Sequence, residues 1–295
     1  MQYELKNDFL KAVFESHGAE LVSLQHAKTG VEYLWCGDKK FWGRHSPVLF
    51  PFVGRVKDDT YRYGGKEYHI SQHGFARDME FTCISQSENE IWFSLSASEE
   101  TKEKYPFEFL LEIGYRLEKN TLSVLWKVTN RETEKEMYFS IGAHPAFLCP
   151  LKEGEKQTDY AIAINAGDVV SHDIGLTSGL RQQTVTKLHI PEEGLTISEH
   201  FFDNGAYIIE DSQVQSISLL TPDKKPYITV SFDAPLVGIW SPEKKNAPFV
   251  CIEPWYGRCD AEEFDGTLEE RSWQNVLEAG ACFKRSYTIT CNEIR

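Results

Sequence analysis

Along much of this 295-residue chain, apolar and polar positions alternate with a period of two. In "EFLLEIGYRLE" the apolar set is Phe109, Leu111, Ile113, Tyr115 and Leu117. In "TLSVLWKVTN" it is Leu122, Val124, Trp126 and Val128, in "YITVSFD" Ile228, Val230 and Phe232, and in "SYTITC" Tyr287, Ile289 and Cys291. Successive side chains of a strand point to opposite faces, so each segment predicts a strand with one buried face. Turn signals such as "YGGKEY", "EKNT", "DNG" and "TPDKKP" separate such runs. Helical periodicity is weak. It predicts one short helix over 97–105 and a helical turn within 262–277. Many strands, no Pro/Gly/Ser-rich linker and no internal repeat predict an all-β chain. We expect one large antiparallel β-sandwich or barrel spanning 1–295 as a single domain.

The hydrophobic fraction of 41% is enough for a sizeable core, and the aromatic fraction of 13% suits both cores and the C–H faces of sugars. With 31 basic and 45 acidic residues the net charge is -14, which disfavours nucleic acid and anionic lipid as partners. A local arginine pair still leaves room for a small anionic substrate. The start "MQYELKNDFLKAVF" lacks the apolar core of a secretion signal, and runs such as "SPVLFPFVG" are too short to span a bilayer. The seven cysteines form no CxxC pair, so neither a disulfide framework nor a zinc ribbon is expected. Reduced thiols in a cytoplasmic protein are the simple expectation. The chain has no GxGxxG, GxxxxGK[ST], HExxH or GxSxG motif.

Three segments concentrate polar chemistry among aromatics. The stretch 41–78 carries Arg55, His73 and Arg77 beside Trp42, Phe50, Phe52 and Phe75. "FSIGAHPAFLCP" carries His144, and "PFVCIEPWYGRCD" carries Glu253 directly after an apolar run. Burying a carboxylate is unfavourable unless it is paired or used, so Glu253 is either a structural ion-pair member or an acid/base. His144 and His73 read either as core histidines bonded to backbone or as members of a site. Arg55 and Arg77 read as ordinary ion-pairing arginines or, if they converge on a pocket, as forked donors for hydroxyls or a phosphate. Asp203, in "FFDNGAYI", sits in a turn where Asp is common for local reasons.

Taken together, "PFVGR", "QHGFARD", "GAHPAF" and "GIWSPEKKNAPFVCIEPWYGRCD" resemble the aldose 1-epimerase (galactose mutarotase-like) family, and its LacX-like subgroup in particular. The resemblance implies a β-supersandwich with a concave sugar cleft. It implies interconversion of α and β anomers of an aldose without cofactor or metal. It assigns Glu253 as catalytic base and His144 as catalytic acid, with Arg55, His73 and Asp203 binding substrate. The form "HGFAR" is similar to the hexose-6-phosphate branch, which implies a phosphate contact for Arg77. Trp42 and Trp255 are candidates for the apolar face of the sugar. Two rival readings stay open: a carbohydrate-binding protein without turnover, and a glycoside hydrolase using Asp203 and Glu253 as a carboxylate pair.

Overall fold

The computed structural model of the chain describes residues 1–293. Two large antiparallel sheets dominate. The nine-stranded sheet runs, edge to edge, Leu195–Thr196, Ala161–Ile164, Ser216–Leu220, Pro226–Phe232, Cys282–Cys291, Thr121–Asn130, Phe109–Glu118, Glu90–Ser96 and Thr82–Gln86. The eight-stranded sheet runs Arg181–His189, Asp168–Ile174, Tyr207–Ile209, Leu236–Trp240, Phe249–Tyr256, Ile141–Ala143 and Val48–Leu49, with Ala146–Leu148 also on Phe249–Tyr256. Three strands at the N-terminus, Gln2–Lys6, Leu10–Glu15 and Glu20–His26, form a separate small sheet.

Each apolar set named from the sequence is buried. The main core joins both large sheets: Phe50 packs on Phe109 with ring centroids 5.2 Å apart, and Trp126 meets Tyr256 at 6.2 Å. The expected short helix is Glu99–Lys104, capped by Ser98, whose hydroxyl accepts from the backbone N–H of Thr101. The expected later turn is a single 3-10 turn, Leu268–Glu270. Among the described residues no helix is long and apolar enough to cross a membrane.

One strand sets up the site. All eight residues of Phe249–Tyr256 are buried, because both faces of this central strand are covered. Val250, Ile252 and Tyr256 enter the main core between the sheets. The odd-numbered residues point the other way. There Phe249 and Cys251 pack with Trp35 and Ala146, while Trp255 packs with Leu49, Val53, Ile208 and Leu236. Glu253 stands between these two apolar clusters. Its cross-strand partner is Gly238, where a side chain would meet the Trp255 ring at 2.7 Å.

Candidate active site

The strand pairing brings His144 to Glu253. Gly142 lies opposite Trp255 and Ala146 opposite Cys251, and the same register continued through the intervening gap sets His144 opposite Glu253. The chain leaves the ladder at His144–Pro145 and rejoins it at Ala146, so the imidazole projects from an interruption rather than a regular strand. His144 Nε2 is 3.3 Å from Glu253 Oε2. Trp42 stacks on the imidazole with ring centroids 4.7 Å apart and planes at 26°, while Trp240 meets it edge-on at 5.4 Å.

Both groups line a cavity of about 500 Å³ with Trp42, Arg44, Arg55, His73, Arg77, Trp240, Glu243 and Trp255. Glu253 is 1% exposed and His144 7%. Removing a carboxylate from water disfavours its charged form, so burial holds Glu253 well above the ordinary carboxylate range. Burial, with the charges of Arg77 and Arg44 added, pushes His144 down to about 3. Among the described residues Glu253 Oε2 and His144 Nδ1 have no hydrogen-bond partner. Buried polar atoms left without a partner are exceptions in folded proteins.

His73 comes from a tight loop. Its φ of 69° and the 70° of Gly74 both lie in the left-handed region, and a Cβ at Gly74 would sit 2.3 Å from the Phe50 carbonyl oxygen. The His73 N–H donates to the Gly54 carbonyl at 2.8 Å, and the Gly54 N–H donates to His73 Nδ1 at 3.1 Å. Nδ1 is therefore an acceptor, and the ring proton sits on Nε2. Burial, with Arg77 and His144 nearby, keeps the ring neutral by holding its pKa well below the ordinary value. His73 is thus a neutral donor with a fixed tautomer.

Arg55 follows Gly54 on the same loop. Its Nε and one terminal nitrogen donate to both oxygens of Asp59, at 2.6 and 2.7 Å. Asp59 and its neighbour Asp58 have φ of 53° and 56°. Aspartate is among the residues that tolerate left-handed backbone, and the turn is closed by the Thr60 N–H donating to the Lys57 carbonyl.

Arg77 and Arg44 share one carboxylate. Arg44 donates to Asp78 at 2.8 Å, and Arg77 Nε stands 3.7 Å from the other oxygen of the same residue without a hydrogen bond. Burial and Arg44 push the Arg77 guanidinium down to about 10. This end of the cavity carries unneutralised positive charge.

Asp203 does not join them. It is not among the residues that line the cavity, and its carboxylate faces the His200 ring at 2.8 Å across its own turn. The turn instead presents Gly205 and Ala206 to the cavity. The structure does not bring Asp203, expected as a substrate-binding residue, to the group formed by Glu253, His144, His73 and Arg77. The second cavity carboxylate is Glu243, which accepts from Trp240 Nε1 at 3.2 Å. Glu243, Arg44, Trp240 and the segment 174–179 escape sequence reasoning, because each sits in a loop of ordinary polar composition or at a strand end. Trp255 lies beneath the cavity at 5% exposure, held by Nε1–H donation to the Ala143 carbonyl at 3.3 Å.

Cys251 adds a thiol behind the pair. Ligand atoms of His144, Cys251 and Glu253 all lie within 4.8 Å of one another. Burial holds both the thiol and the carboxyl toward their protonated forms, and Arg77 and Arg44 act on the same imidazole.

The chain matches the family model described as "Aldose 1-epimerase" over residues 1–263. It is 33% identical over 298 aligned positions to protein LacX of Lactococcus lactis subsp. lactis, covering 98% of this chain and 99% of that protein. The X-ray structure of a galactose mutarotase related enzyme from Lactobacillus acidophilus superposes with a TM-score of 0.92 at 36% identity, covering 99% of this chain and 98% of that one. A galactose mutarotase-like protein from Lactobacillus casei gives 0.90 at 35% identity, covering 99% and 100%.

Proposed function

The chain belongs to the aldose 1-epimerase family, and from that premise we propose that it interconverts the α and β anomers of an aldohexose with Glu253 and His144 as its proton-transfer pair. The observation that carries the reading is the 3.3 Å approach of two buried acid/base groups inside a sugar-sized cavity. Inverting C1 requires breaking the C1–O5 bond. One group takes the proton of the C1 hydroxyl while the other gives a proton to O5, yielding the open-chain aldehyde. Rotation about C1–C2 presents the other carbonyl face, and the two transfers reverse on closure. No atom is gained or lost.

The pair carries one exchangeable proton. Burial favours the uncharged arrangement, with the proton on Glu253. A bound sugar changes the balance, because its C1 hydroxyl donates to the carboxylate and its O5 accepts from the imidazolium. Hydrogen bonds to the charged forms favour them, so with the sugar bound the proton resides on His144, whose Nε2 is 3.3 Å from Glu253. Glu253 then acts as base and His144 as acid. Arg55 and the Nε2–H of His73 donate to ring hydroxyls and fix the pose.

Activity needs the pair singly protonated, whichever group holds the proton. It is lost at low pH when His144 also protonates, and at high pH when Glu253 ionises. Since His144 is pushed down to about 3, the kcat/KM profile should stay flat well below the ordinary imidazole pKa of about 6.5. An acid limb centred near 6.5 would contradict this arrangement.

The unneutralised charge at Arg44 and Arg77 favours a second reading within the same activity: an aldose 6-phosphate as substrate. Losing one charge-assisted hydrogen bond costs about 1.5–3 kcal/mol. Arg77→Gln should therefore raise KM for the phosphate by roughly 10- to 100-fold and KM for the free hexose by less than about threefold. Equal effects on both would remove the phosphate reading. The function itself is tested by following fresh α-D-glucose and α-D-galactose by polarimetry, and their 6-phosphates by anomeric exchange NMR. Acceleration supports a mutarotase. Binding without acceleration of any of the four supports the non-catalytic rival.

A further inference from the structure

We infer that Asp59 is a positioning residue for Arg55, and that the left-handed turn at Asp58–Asp59 exists to aim the Arg55 guanidinium into the cavity. The inference rests on the proposed function only in taking the cavity as a sugar site.

Arg55 is a poor binder on its own terms. It is only partly buried, and a long half-exposed side chain loses rotamer entropy each time it is ordered on a ligand. The fork to Asp59 removes that freedom beforehand. It occupies Nε and one terminal nitrogen, so the remaining terminal nitrogen is held on the far edge. That nitrogen reaches only to 3.5 Å from the Ser178 carbonyl across the cavity mouth, a weak contact that a sugar hydroxyl can replace. The turn itself is tied on both sides. The Asp59 N–H donates to Val56, and the Asp59 carbonyl accepts from Ile70. Asp260 receives the Lys57 N–H and is locked by Arg271 at 2.6 Å.

The Thr60 N–H donates to the Lys57 carbonyl and closes the turn, and from it the Asp59 carboxylate meets Arg55. Two parallel hydrogen bonds fix the plane of the guanidinium before a ligand arrives. The fork also favours both charges, lowering the pKa of Asp59 and raising that of Arg55.

The test compares Asp59→Asn, Asp59→Gly and Asp58→Gly with the wild type. Four quantities are read: Kd for D-galactose and D-glucose by saturation-transfer NMR, KM, kcat and melting temperature. Asparagine keeps the shape and tolerates the turn, while glycine accepts the left-handed backbone and deletes the fork. Both Asp59 variants should weaken Kd and KM about tenfold, with kcat within about threefold and no loss of melting temperature. Asp58→Gly should raise the melting temperature and leave Kd within about twofold. Kd and KM unchanged in both Asp59 variants would overturn the inference. So would a fall in melting temperature in both Asp59 variants, with kcat and KM impaired together, because it would make the fork a structural prop. A wild type that binds sugar without turning it over overturns the mutarotase reading alone, and the Kd ratio still judges Asp59.

Discussion

Replacing Glu253 by glutamine should abolish turnover while making the protein more stable at neutral pH. The amide keeps the shape of the side chain between its two apolar clusters but can neither take nor return a proton. A positioned proton transfer contributes typically 10²–10⁴-fold, and kcat should fall by at least about 10³ because the paired group is disabled with it. The stability effect has the opposite sign, for a reason specific to this site. Folded Glu253 keeps its proton above the pH at which the unfolded carboxylate has lost it. In that window the native state binds more protons than the unfolded state, so stability falls as pH rises, by up to about 1.4 kcal/mol per pH unit. Glutamine removes this dependence. The melting temperature of Glu253→Gln should exceed that of the wild type by roughly 2–6 °C at pH 7, with the gap closing toward pH 5. An active variant would remove Glu253 from the mechanism. A variant equal to the wild type in stability at every pH would mean that the carboxylate is not held neutral.

Removing His144 should be nearly as damaging, and removing both groups should be little worse than removing either. His144→Asn leaves Glu253 with no partner at 3.3 Å to accept its proton, so ring opening loses one of its two coupled transfers. The expected loss in kcat is again about 10²–10⁴-fold. Groups that act as a unit are non-additive, so the Glu253→Gln/His144→Asn double variant should retain the activity of the weaker single variant within about threefold. Independent, multiplying losses would show that the two residues do not share one proton. KM discriminates further. Arg55 and His73 remain in place, so substrate affinity should change far less than kcat in both single variants. Trp42 stacking on the imidazole argues for asparagine over alanine, because the smaller side chain would leave a void beneath that ring.

The strands were legible because side-chain direction along a strand is a local property of the backbone. Phe109 to Leu117 and Leu122 to Val128 alternate in the chain and are buried as alternation requires. Glu253 was legible for a related reason. An acid at the end of "FVCI" conflicts with its surroundings, and such conflicts mark sites. Its isolation was not legible, because it arises from which neighbouring strands cover each face. The direction of Asp203 was not legible, because its local setting suits a turn equally well whether the carboxylate faces the cavity or His200. Glu243 and Arg44 looked like ordinary surface charges, since nothing in their neighbours in sequence shows which loops converge.

The class of fold, the buried face of each regular strand, and the residue types able to perform acid/base chemistry and grip hydroxyls can all be read from short stretches of the chain. Periodicity, turn chemistry and residue pKa are properties of a few consecutive residues, and they survive without knowledge of the rest. The tertiary structure alone decided that His144 stands opposite Glu253, that Gly54 fixes the His73 tautomer, that Arg77 and Arg44 divide one carboxylate, and that Asp203 stays outside. Each of these depends on the register between distant strands or on the meeting of separate loops. Such contacts form only when the whole apolar surface is buried at once, so no short stretch of the chain encodes them.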